Sequence, residues 1–375
     1  MGGGIALFKE VKKNFGFGCM RLPMNNEEVD IEHFQKMVDY FMEAGFNYFD
    51  TAHVYIGGKS ELALKECLTQ KYPRESYVLT DKLSGSCFKV EADLEPMFQE
   101  QLDACGVDYF DFYLMHAQNA TSFARFKKEH AYEFAFKKKE EGKIKHVGLS
   151  FHDSADVLDQ ILTEYPNIEV VQIQFNYLDY LDPLVQGKQC YEVCRKHNKP
   201  IIVMEPVKGG KLANLPDDAK NILESLNNGS PASYAIRYVA GHEGIFMTLS
   251  GMSNMDQMID NVSYMKDFVK INEKESQAIN EVVKILSKLN TIDCTNCRYC
   301  VDGCPKKILI PNLFACLNSK ILNDDWDSEY YYNEVYTVNN GKAKDCIECG
   351  KCEAMCPQHL EIRRLLKRVS KVFDK

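Results

Sequence analysis

Along the first three quarters of the chain, short strand-like apolar runs alternate with segments in which apolar residues have helical spacing. Between the strand-like runs, apolar residues recur at helical spacing, as Phe34, Val38 and Phe41 do within Ile31–Ala44. Short and largely apolar runs predict eight β-strands buried on both faces: Asn14–Cys19, Asn47–Ala52, Ser76–Leu83, Tyr109–His116, Ile144–Phe151, Glu169–Tyr177, Pro200–Val207 and Gly244–Met252. The expected helices are Ile31–Ala44, Lys59–Gln70, Glu91–Cys105, Ala124–Glu141, Ser154–Tyr165, Pro183–His197, Pro231–Ala240 and Asn254–Val269.

Strands that each precede a helix, repeated over about 250 residues, are typical of an α/β fold of the (β/α)8 TIM-barrel class. An open, doubly wound parallel sheet is the alternative. That fold usually has fewer strands and opens with a glycine-rich phosphate turn, which the early Gly16-Phe17-Gly18-Cys19-Met20 does not complete. The pattern therefore favours the barrel.

Composition narrows the classes of function. The chain has 375 residues and a net charge of −9, which argues against nucleic-acid binding because that function needs a basic footprint. No apolar run approaches the ~20 residues of a membrane span. Met1–Ala6 is not followed by an apolar stretch with a cleavage site. We therefore expect a cytoplasmic protein with neither a nucleic-acid nor a membrane partner.

Cysteine is used unusually often near the end of the chain. Nine of the 15 cysteines follow residue 290, and such clustering without a secretion signal indicates metal or redox chemistry. Eight of the nine form one spacing that occurs twice: Cys294-x2-Cys297-x2-Cys300-x3-Cys304-Pro305 and Cys346-x2-Cys349-x2-Cys352-x3-Cys356-Pro357.

This spacing predicts two [4Fe-4S] clusters. Three thiolates of one motif converge on one cluster, and the fourth cysteine, followed by proline, ligates the other. Tetrahedral zinc is the competing interpretation, but zinc sites usually pair two C-x2-C halves. Cluster one is predicted to take Cys294, Cys297, Cys300 and Cys356, and cluster two Cys346, Cys349, Cys352 and Cys304. The ninth cysteine, Cys316, is expected to be a buried thiol.

Helical patterns fill the rest of this region. The 41 residues of Pro305–Asp345 include an amphipathic Ile310–Ile321, so the region resembles the helical type of ferredoxin. A last helix is expected over Leu360–Phe373; its basic face either docks an acidic redox partner or is a solvated face that offsets negative clusters. We therefore predict two domains, the barrel over residues 1–285 and a smaller, mainly helical, ferredoxin-like domain over residues 286–375.

Polar residues end three successive strands of the expected barrel, where active sites of such barrels lie. Asp50 ends the second strand, Lys82 the third and His116 the fourth, and Tyr55 follows in the loop after Asp50. A buried lysine is expected to draw the pKa of the tyrosine down from ~10, with the aspartate orienting the lysine. Such a tyrosine can act as general acid when hydride reaches a carbonyl carbon, and a histidine can polarise the carbonyl oxygen. Each residue alone fits a structural role, but their shared location favours one catalytic site.

These motifs resemble those of the aldo-keto reductase superfamily, over roughly residues 15–270. The resemblance lies in Gly16-Phe17-Gly18-Cys19-Met20-Arg21-Leu22-Pro23, in Phe49-Asp50-Thr51-Ala52-His53-Val54-Tyr55 and in the strand-end Lys82 and His116. With the cysteine motifs added, the chain resembles the ferredoxin-fused branch of that superfamily. The resemblance implies Tyr55 as acid and base, Lys82 with Asp50 as its tuning pair, and His116 as the residue that orients the substrate.

The resemblance also implies contacts to the nicotinamide of NAD(P)H. Ser150 and Gln172 match family residues that bind the carboxamide, although Phe151 stands where the family has asparagine. Asn176 fits a further family pattern. Met204 stands where an aromatic residue usually stacks on the nicotinamide, and a methionine can pack there without stacking.

The residues that usually bind the 2′-phosphate of NADP are not matched. Gly251, Met252 and Gln257 replace the family's lysine, serine and arginine, and losing such charge-assisted contacts weakens a preference for NADP. Ser250, Gly251 and Ser253 can still offer hydroxyls and amides to an anion at the start of the last helix. No residue pattern specific to a flavin is present, although barrels can bind a flavin through backbone contacts.

Several histidines lie near the predicted site. His53 stands between Asp50 and Tyr55, and its interpretation as a structural residue is favoured. His152 and Asp153 either replace the missing asparagine or begin a helix. His146 and His242 are expected to be structural.

Two functions from different classes are compatible with these features. The first is an oxidoreductase that reduces a small carbonyl compound, or oxidises an alcohol, with a nicotinamide and two clusters that exchange single electrons with a redox partner. The second is a redox-sensing binding module whose clusters are structural or sensory. The four strand-end residues favour the first. Substrate specificity is expected to lie in loops, particularly Lys208–Ser230.

Overall fold

The structure is a computed structural model that describes residues 8–181, 185–286, 291–323 and 327–374. Met1–Ala6, on which the expectation about secretion rests, and the connector at residues 287–290 lie outside the described residues. By internal contacts the chain divides into a first unit, up to Val207 and over Asn228–Ser276, and a second unit, over Lys208–Asn227 and from Gln277 onward. Among the described residues, no helix has both the length and the apolar character that crossing a membrane requires.

Eight parallel strands of the described residues form a closed barrel in the first unit. Each pairs with the next along the chain, and the last pairs with the first, where Phe15 lies opposite Thr248. Closure confirms the TIM-barrel class and excludes the open sheet. The strands are β1 (Phe15–Gly18), β2 (Tyr48–Asp50), β3 (Val78–Leu83), β4 (Phe110–Gln118), β5 (Ile144–Phe151), β6 (Val170–Gln174), β7 (Ile201–Met204) and β8 (Ile245–Ser250).

Helices alternate with these strands. Two expectations change: Ala124–Glu141 is two helices, because His130 interrupts it with a φ of +52°, and Lys208–Ser230 contains a helix. The helix start predicted at Pro183 lies outside the described residues. A short hairpin joins Met24–Asn25 to Glu28–Val29. The helices are α1 (Ile31–Glu43), α2 (Lys59–Leu64, extended by a π-helical turn Lys65–Thr69), α3 (Leu94–Cys105), α4 (Ala120–Lys128), α5 (Ala131–Glu140), α6 (Ala155–Glu164), α7 (Gly187–Lys196), α8 (Asp217–Glu224), α9 (Pro231–Ala240), α10 (Met255–Met265) and α11 (Glu273–Leu286).

Strand alternation divides the barrel into two apolar layers. Inward residues such as Tyr48, Val78 and Phe112 fill the interior, and Phe8 joins them, with its ring 5.0 Å from that of Phe112. Outward residues such as Phe49 pack against the helices. Because the period is two residues, the last inward positions of β2, β3 and β4 fall on polar residues, and this places the candidate site at the carboxyl end of the barrel.

The second unit repeats one local conformation around each cysteine motif. Asn296, Arg298 and Lys307 have positive φ values, and Glu348, Gly350 and His359 have them at the matching positions of the second motif. Short helices begin after Arg298 and Gly350. The helices of this unit are α12 (Tyr299–Asp302), α13 (Ile310–Asn323), α14 (Asp327–Tyr330, continued by a π-helical turn Tyr331–Tyr336), α15 (Lys351–Ala354) and α16 (Ile362–Phe373).

Helices α13 and α16 supply most of the apolar core of the second unit. The buried positions of α16 are Ile362, Leu366, Val369 and Phe373, three or four residues apart, so its basic residues occupy the opposite face. The Phe373 ring stacks on Tyr332 at 4.6 Å. Cys316 is buried in α13.

Candidate functional site

A buried ion pair lies at the carboxyl ends of β2 and β3. The Lys82 Nζ donates to Asp50 Oδ1 and to the carbonyl oxygen of Thr51, each at 2.6 Å. The Gln172 Nε2 of β6 donates to the other oxygen of Asp50 at 3.2 Å. Both charged side chains are almost completely buried, and a buried charge needs such partners to offset its desolvation.

Tyr55 and His116 complete the group. The Lys82 Nζ lies 4.8 Å from the centre of the Tyr55 ring, and the rings of Tyr55 and His116 meet edge to face at 5.8 Å. Tyr55 begins a tight turn in which Ile56 has a φ of +53° and two glycines follow in the same left-handed region. A β-branched residue in this region stores backbone strain, of order 1–3 kcal/mol. The four residues that the sequence predicted are therefore brought together.

The pKa of Tyr55 shifts in the direction opposite to the sequence-based expectation. Burial raises the pKa of Tyr55 well above its ordinary value, the Asp50 carboxylate raises it further, and Arg21 partly offsets the two. The expectation that Lys82 would draw this pKa down is wrong because Asp50 neutralises the lysine and the phenolate has lost its hydration. Tyr55 is accordingly protonated at neutral pH.

His116 is uncharged at neutral pH. Burial lowers its pKa well below the ordinary value, and the nearby Lys82 and His152 lower it further. The Ser84 hydroxyl lies 2.6 Å from Nδ1 of His116 and fixes the orientation of the ring. Ser84 follows Lys82 by two residues, so strand alternation places both on the barrel's inner side.

A second buried acidic pair lies on the outer side of β3. Glu61 of α2 and Asp81 of β3 are both fully buried, and a carboxylate oxygen of each lies within 4.8 Å of the other and of the Cys105 Sγ. Burial raises the pKa of Glu61 to about 7. Burial and the neighbouring Glu61 raise the pKa of Asp81 well above its ordinary value. The pair therefore holds a proton near neutral pH, directly behind the strand that carries Lys82.

Of the residues predicted to bind the nicotinamide, several make internal hydrogen bonds. The Ser150 Oγ accepts from the backbone N–H of Ala117 at 2.8 Å, and Gln172 holds Asp50. The Asn176 amide donates to Asp179 at 2.8 Å and to the Glu205 carbonyl at 3.0 Å. Met204 ends β7. These side chains lie at the carboxyl ends of β5, β6 and β7 or in the loop after them.

The residues predicted near the cofactor phosphate lie around the end of β8 and the start of α10. The Ser250 Oγ accepts from Asn261 at 2.8 Å. The Ser253 Oγ donates to the carbonyl of Arg21 at 2.9 Å. The Ser253 backbone N–H donates to the Gln257 side chain at 2.8 Å, and Gly251 lies between the two serines. The neutral Gln257 thus stabilises the first turn of α10.

The remaining histidines have distinct surroundings. The His53 Nδ1 lies 2.8 Å from a Glu61 oxygen, on the outer side of the barrel. The His152 backbone bonds to Gln118, while Asp153 accepts from the N–H of Ala120 and Ser154.

His146 lies near the start of β5, and His242 lies between α9 and β8. The His146 ring nitrogens lie 2.7 Å from Glu10 and 3.1 Å from Glu169. The His242 Nδ1 donates to the carbonyl of Tyr238, one helical turn earlier. Both rings are thus held by neighbouring residues.

The eight motif cysteines line two cavities of the second unit. One cavity, of about 300 Å³, contains the four predicted for cluster one: Cys294, Cys297, Cys300 and Cys356. The other, of about 330 Å³, contains the four predicted for cluster two: Cys304, Cys346, Cys349 and Cys352. Each motif contributes three cysteines to one cavity and its last cysteine to the other, as the spacing predicts.

The backbone around these cavities fits a negatively charged sulfur cluster. Left-handed residues such as Asn296 and Glu348 lie between the cysteines, and left-handed residues in turns build the backbone nests that suit anions and iron–sulfur sites. The Ile308 backbone N–H donates to the Cys304 Sγ at 3.4 Å. A four-sulfur set with amide donors favours iron–sulfur clusters by its chemistry.

Comparison with known proteins decides the family. The aldo/keto reductase family model matches residues 14–284, which is more than half of the chain. This protein belongs to the aldo/keto reductase family. A second model, the 4Fe-4S dicluster domain, matches residues 293–361, so this aldo/keto reductase carries a C-terminal 4Fe-4S dicluster domain.

Several relatives and solved structures are similar to part of this chain. The 9,11-endoperoxide prostaglandin H2 reductase of Trypanosoma cruzi is 27% identical over 65% of this chain and 81% of the relative. The NADH-specific methylglyoxal reductase of Escherichia coli is 23% identical over 68% and 89%. An aldo-keto reductase from Klebsiella pneumoniae, solved with NADPH, shares the fold, with a TM-score of 0.57, 18% identity and coverage of 72% and 90%.

The structure adds residues to the site that sequence reasoning missed. Arg21 and Glu205 form an ion pair at 3.6 Å, and Arg21 acts on Tyr55 through its charge. Arg21 stands in the family motif near the start of the chain, which could have pointed to it. The Gln101 side chain donates to the Lys82 carbonyl oxygen at 3.0 Å. No signal in the sequence pointed to Glu61, because this residue comes close to Asp81 only in the folded barrel.

Proposed function

We propose that this chain is a nicotinamide-linked oxidoreductase that reduces the carbonyl group of a small molecule, or oxidises the matching alcohol. The observation that carries the proposal is the buried Lys82–Asp50 pair beside Tyr55 and His116. Such a group supplies a proton and orients a carbonyl in a site from which water is excluded. We also propose that residues 1–285 form the barrel domain and that residues 286–375 form the ferredoxin-like domain.

Tyr55 is the proposed proton donor. Its raised pKa keeps the phenol protonated at neutral pH, so the phenolic O–H can deliver a proton to the carbonyl oxygen as hydride adds to the carbonyl carbon. Lys82, held by Asp50, lies with its Nζ 4.8 Å from the centre of the Tyr55 ring, so the pair positions the phenol for proton transfer. Asp50 and Gln172 act through the lysine and hold its position.

His116 is the proposed orienting residue. It is uncharged because burial and Lys82 lower its pKa. When Ser84 donates to Nδ1, the imidazole proton lies on Nε2 and can donate to the substrate oxygen. A neutral donor suits this position because it orients the carbonyl without adding a second charge beside Lys82.

The proposed cofactor is NADH or NADPH, which supplies the hydride when it is bound. Ser150, Gln172, Asn176 and Met204 are the proposed contacts to the nicotinamide. Ser250, Gly251, Ser253 and Gln257 are the proposed contacts to the phosphate end. The NADPH complex of the Klebsiella relative supports a nicotinamide, whereas the neutral Gln257 does not favour NADP over NAD.

The clusters are proposed to exchange single electrons with an outside redox carrier. Cys294, Cys297, Cys300 and Cys356 would hold the first cluster. Cys346, Cys349, Cys352 and Cys304 would hold the second. Because such clusters are damaged by oxidation, we propose the reducing cytoplasm as the location.

The test is anaerobic purification with reconstituted clusters, followed by absorbance and EPR while NADH, NADPH and FMN are added in turn. Bleaching of the clusters by a nicotinamide supports coupling between hydride and single-electron chemistry. If dithionite alone bleaches them, the clusters and the nicotinamide are not coupled. A protein with full clusters and no carbonyl turnover would favour a redox-sensing module instead.

A further inference from the structure

The two cysteine cavities differ in charge. Lys306, Lys351 and Arg363 line the cavity of Cys304, Cys346, Cys349 and Cys352. No charged side chain of the described residues lines the other cavity. Positive charge beside a cluster stabilises the electron it takes up, so the two cavities offer different electrostatic environments to the same kind of group.

The internal repeat shows which side chain makes part of this difference. The Ile308 N–H donates to Cys304, and the matching Leu360 N–H donates to Cys356. At the matched positions after each Cys-Pro, however, Lys306 in one motif corresponds to Gln358 in the other. One amide donor is therefore matched, whereas the cation is not.

The cavities also differ in exposure. Cys349 is exposed, whereas the matching Cys297 is half-buried. Ile347, beside Cys346, is 56% exposed, whereas the matching Thr295 is only 2% exposed. An electron carrier can approach the cavity of Cys349 closely.

The acidic residues nearby do not cancel these cations. Arg363 is paired with Glu353, and Glu348 is paired with Lys367. Lys306 and Lys351 form no ion pair with any described residue, so their charges face solvent. In the first motif, the Arg298 guanidinium donates to Asn312 and does not line the cavity.

We propose that an acidic one-electron carrier protein docks on the face formed by Lys306, Ile347, Cys349 and Lys351, which we call the port face. The proposal rests on the two clusters proposed above. In a chain with a net charge of −9, a local pair of unpaired cations orients an acidic partner towards this face. One electron leaves the reduced carrier and is taken up at this cavity, with no proton transferred and no covalent bond formed or broken.

The same cations separate the two clusters in reduction potential. The cluster held by Cys346, Cys349, Cys352 and Cys304 has the higher potential, because Lys306 and Lys351 offset the negative charge added on reduction. The electron supplied by the carrier therefore resides first at the port face.

The test compares two double variants of the full, anaerobically reconstituted chain. Lys306→Gln/Lys351→Gln removes the port charges, and Lys274→Gln/Lys371→Gln removes two exposed charges that do not line the cavity. Binding of purified flavodoxin, an acidic one-electron carrier, is measured at low and high salt. EPR-monitored redox titration then gives the midpoint of each cluster.

We expect the port variant to bind flavodoxin several-fold more weakly at low salt, to lose most of the salt dependence, and to shift only the higher midpoint downward. The matched variant should behave as wild type. Equal losses in both variants, unchanged flavodoxin binding in the port variant, or a shift of the lower midpoint would overturn the proposal. Dimerisation through this face, seen as self-association lost in the port variant, would overturn it as well.

Failure of this proposal is distinguishable from failure of the proposed function. Iron and sulfide contents of each variant report whether both clusters are present. Carbonyl turnover with NADH and NADPH reports the barrel reaction independently. Full iron with unchanged flavodoxin binding refutes only the port face, whereas iron for fewer than two clusters in the wild-type chain refutes the cluster assignment.

Discussion

The barrel site and the cysteine cavities are built in opposite ways. The barrel site takes Asp50, Lys82 and His116 from three strands and Tyr55 from a turn, and strand register brings them together. Each cavity instead takes three cysteines from one seven-residue stretch and a fourth from the other motif. The barrel site therefore depends on the pairing of strands that are far apart in the sequence, whereas most of each cysteine cavity comes from one short stretch of the chain.

This difference determines how each site should fail. In the barrel, one lost hydroxyl removes a chemical step while the surrounding strands keep their positions. In the second unit, one lost thiolate removes a ligand of one cluster and loosens the motif that supplies a ligand to the other. The predictions below test this contrast.

Tyr55→Phe tests the barrel site most directly. We expect carbonyl turnover to fall by ~10²–10⁴-fold because the proton donor is lost, with iron content unchanged. Steady-state kinetics and iron analysis measure the two. Tyr165→Phe, which removes a hydroxyl bonded to Glu133, is the matched control. Full turnover in Tyr55→Phe would exclude this residue as the acid.

Cys349→Ala tests the cysteine cavities. We expect iron content to fall to about half or below, because one cluster loses a ligand and its motif also supplies the other cluster. Iron analysis and EPR measure this loss. Cys316→Ala removes a buried thiol from the same apolar core and should retain both clusters. Equal iron in the two variants would contradict the cavity assignment.

Glu61→Gln tests whether the buried carboxyl of Glu61, on the outer side of β3, makes the stability of the chain depend on pH. The folded pKa of Glu61 is about 7, above its ordinary value of 4.5, so the folded chain binds the proton more tightly than the unfolded chain. The free energy of unfolding should therefore fall as pH rises from about 4.5 to about 7, by on the order of 3 kcal/mol.

Glu61→Gln should lose most of this pH dependence and gain stability relative to wild type at pH 8. Urea unfolding at several pH values measures it. Glu66→Gln, an exposed carboxylate in the adjoining π-helical turn, should keep the wild-type slope. A wild-type slope in Glu61→Gln would show that this carboxyl does not hold the proton.

Gln257→Arg tests the cofactor side of the barrel, where the smallest effect is expected. An arginine at the start of α10 adds a charge-assisted contact to a 2′-phosphate, so the preference for NADPH over NADH should rise roughly tenfold. The ratio of kcat/KM values measures it. Gln160→Arg, at an exposed position of α6, should leave the ratio unchanged, and an equal rise there would contradict the assigned phosphate end.

Much of the fold could be predicted because apolar runs and turns are local. All eight strands were expected, and the cysteine spacing alone predicted both the dicluster domain and the sets of cysteines that share a cavity. The break at His130 could not be predicted, since helical periodicity continues through it. The pKa direction of Tyr55 was also missed, because burial depends on every neighbour that removes water.

The sequence by itself determined the features that depend on local patterns: the alternation of strands and helices, the doubled cysteine motif and the polar residues at strand ends. Tertiary structure decided which distant groups meet, and with what charge. Closure of the barrel set Ser84 beside His116, Arg21 beside Glu205 and Glu61 beside Asp81. The physical reason is that periodicity acts over a few residues, whereas hydrogen bonds, desolvation and charge act between whichever residues the fold brings together.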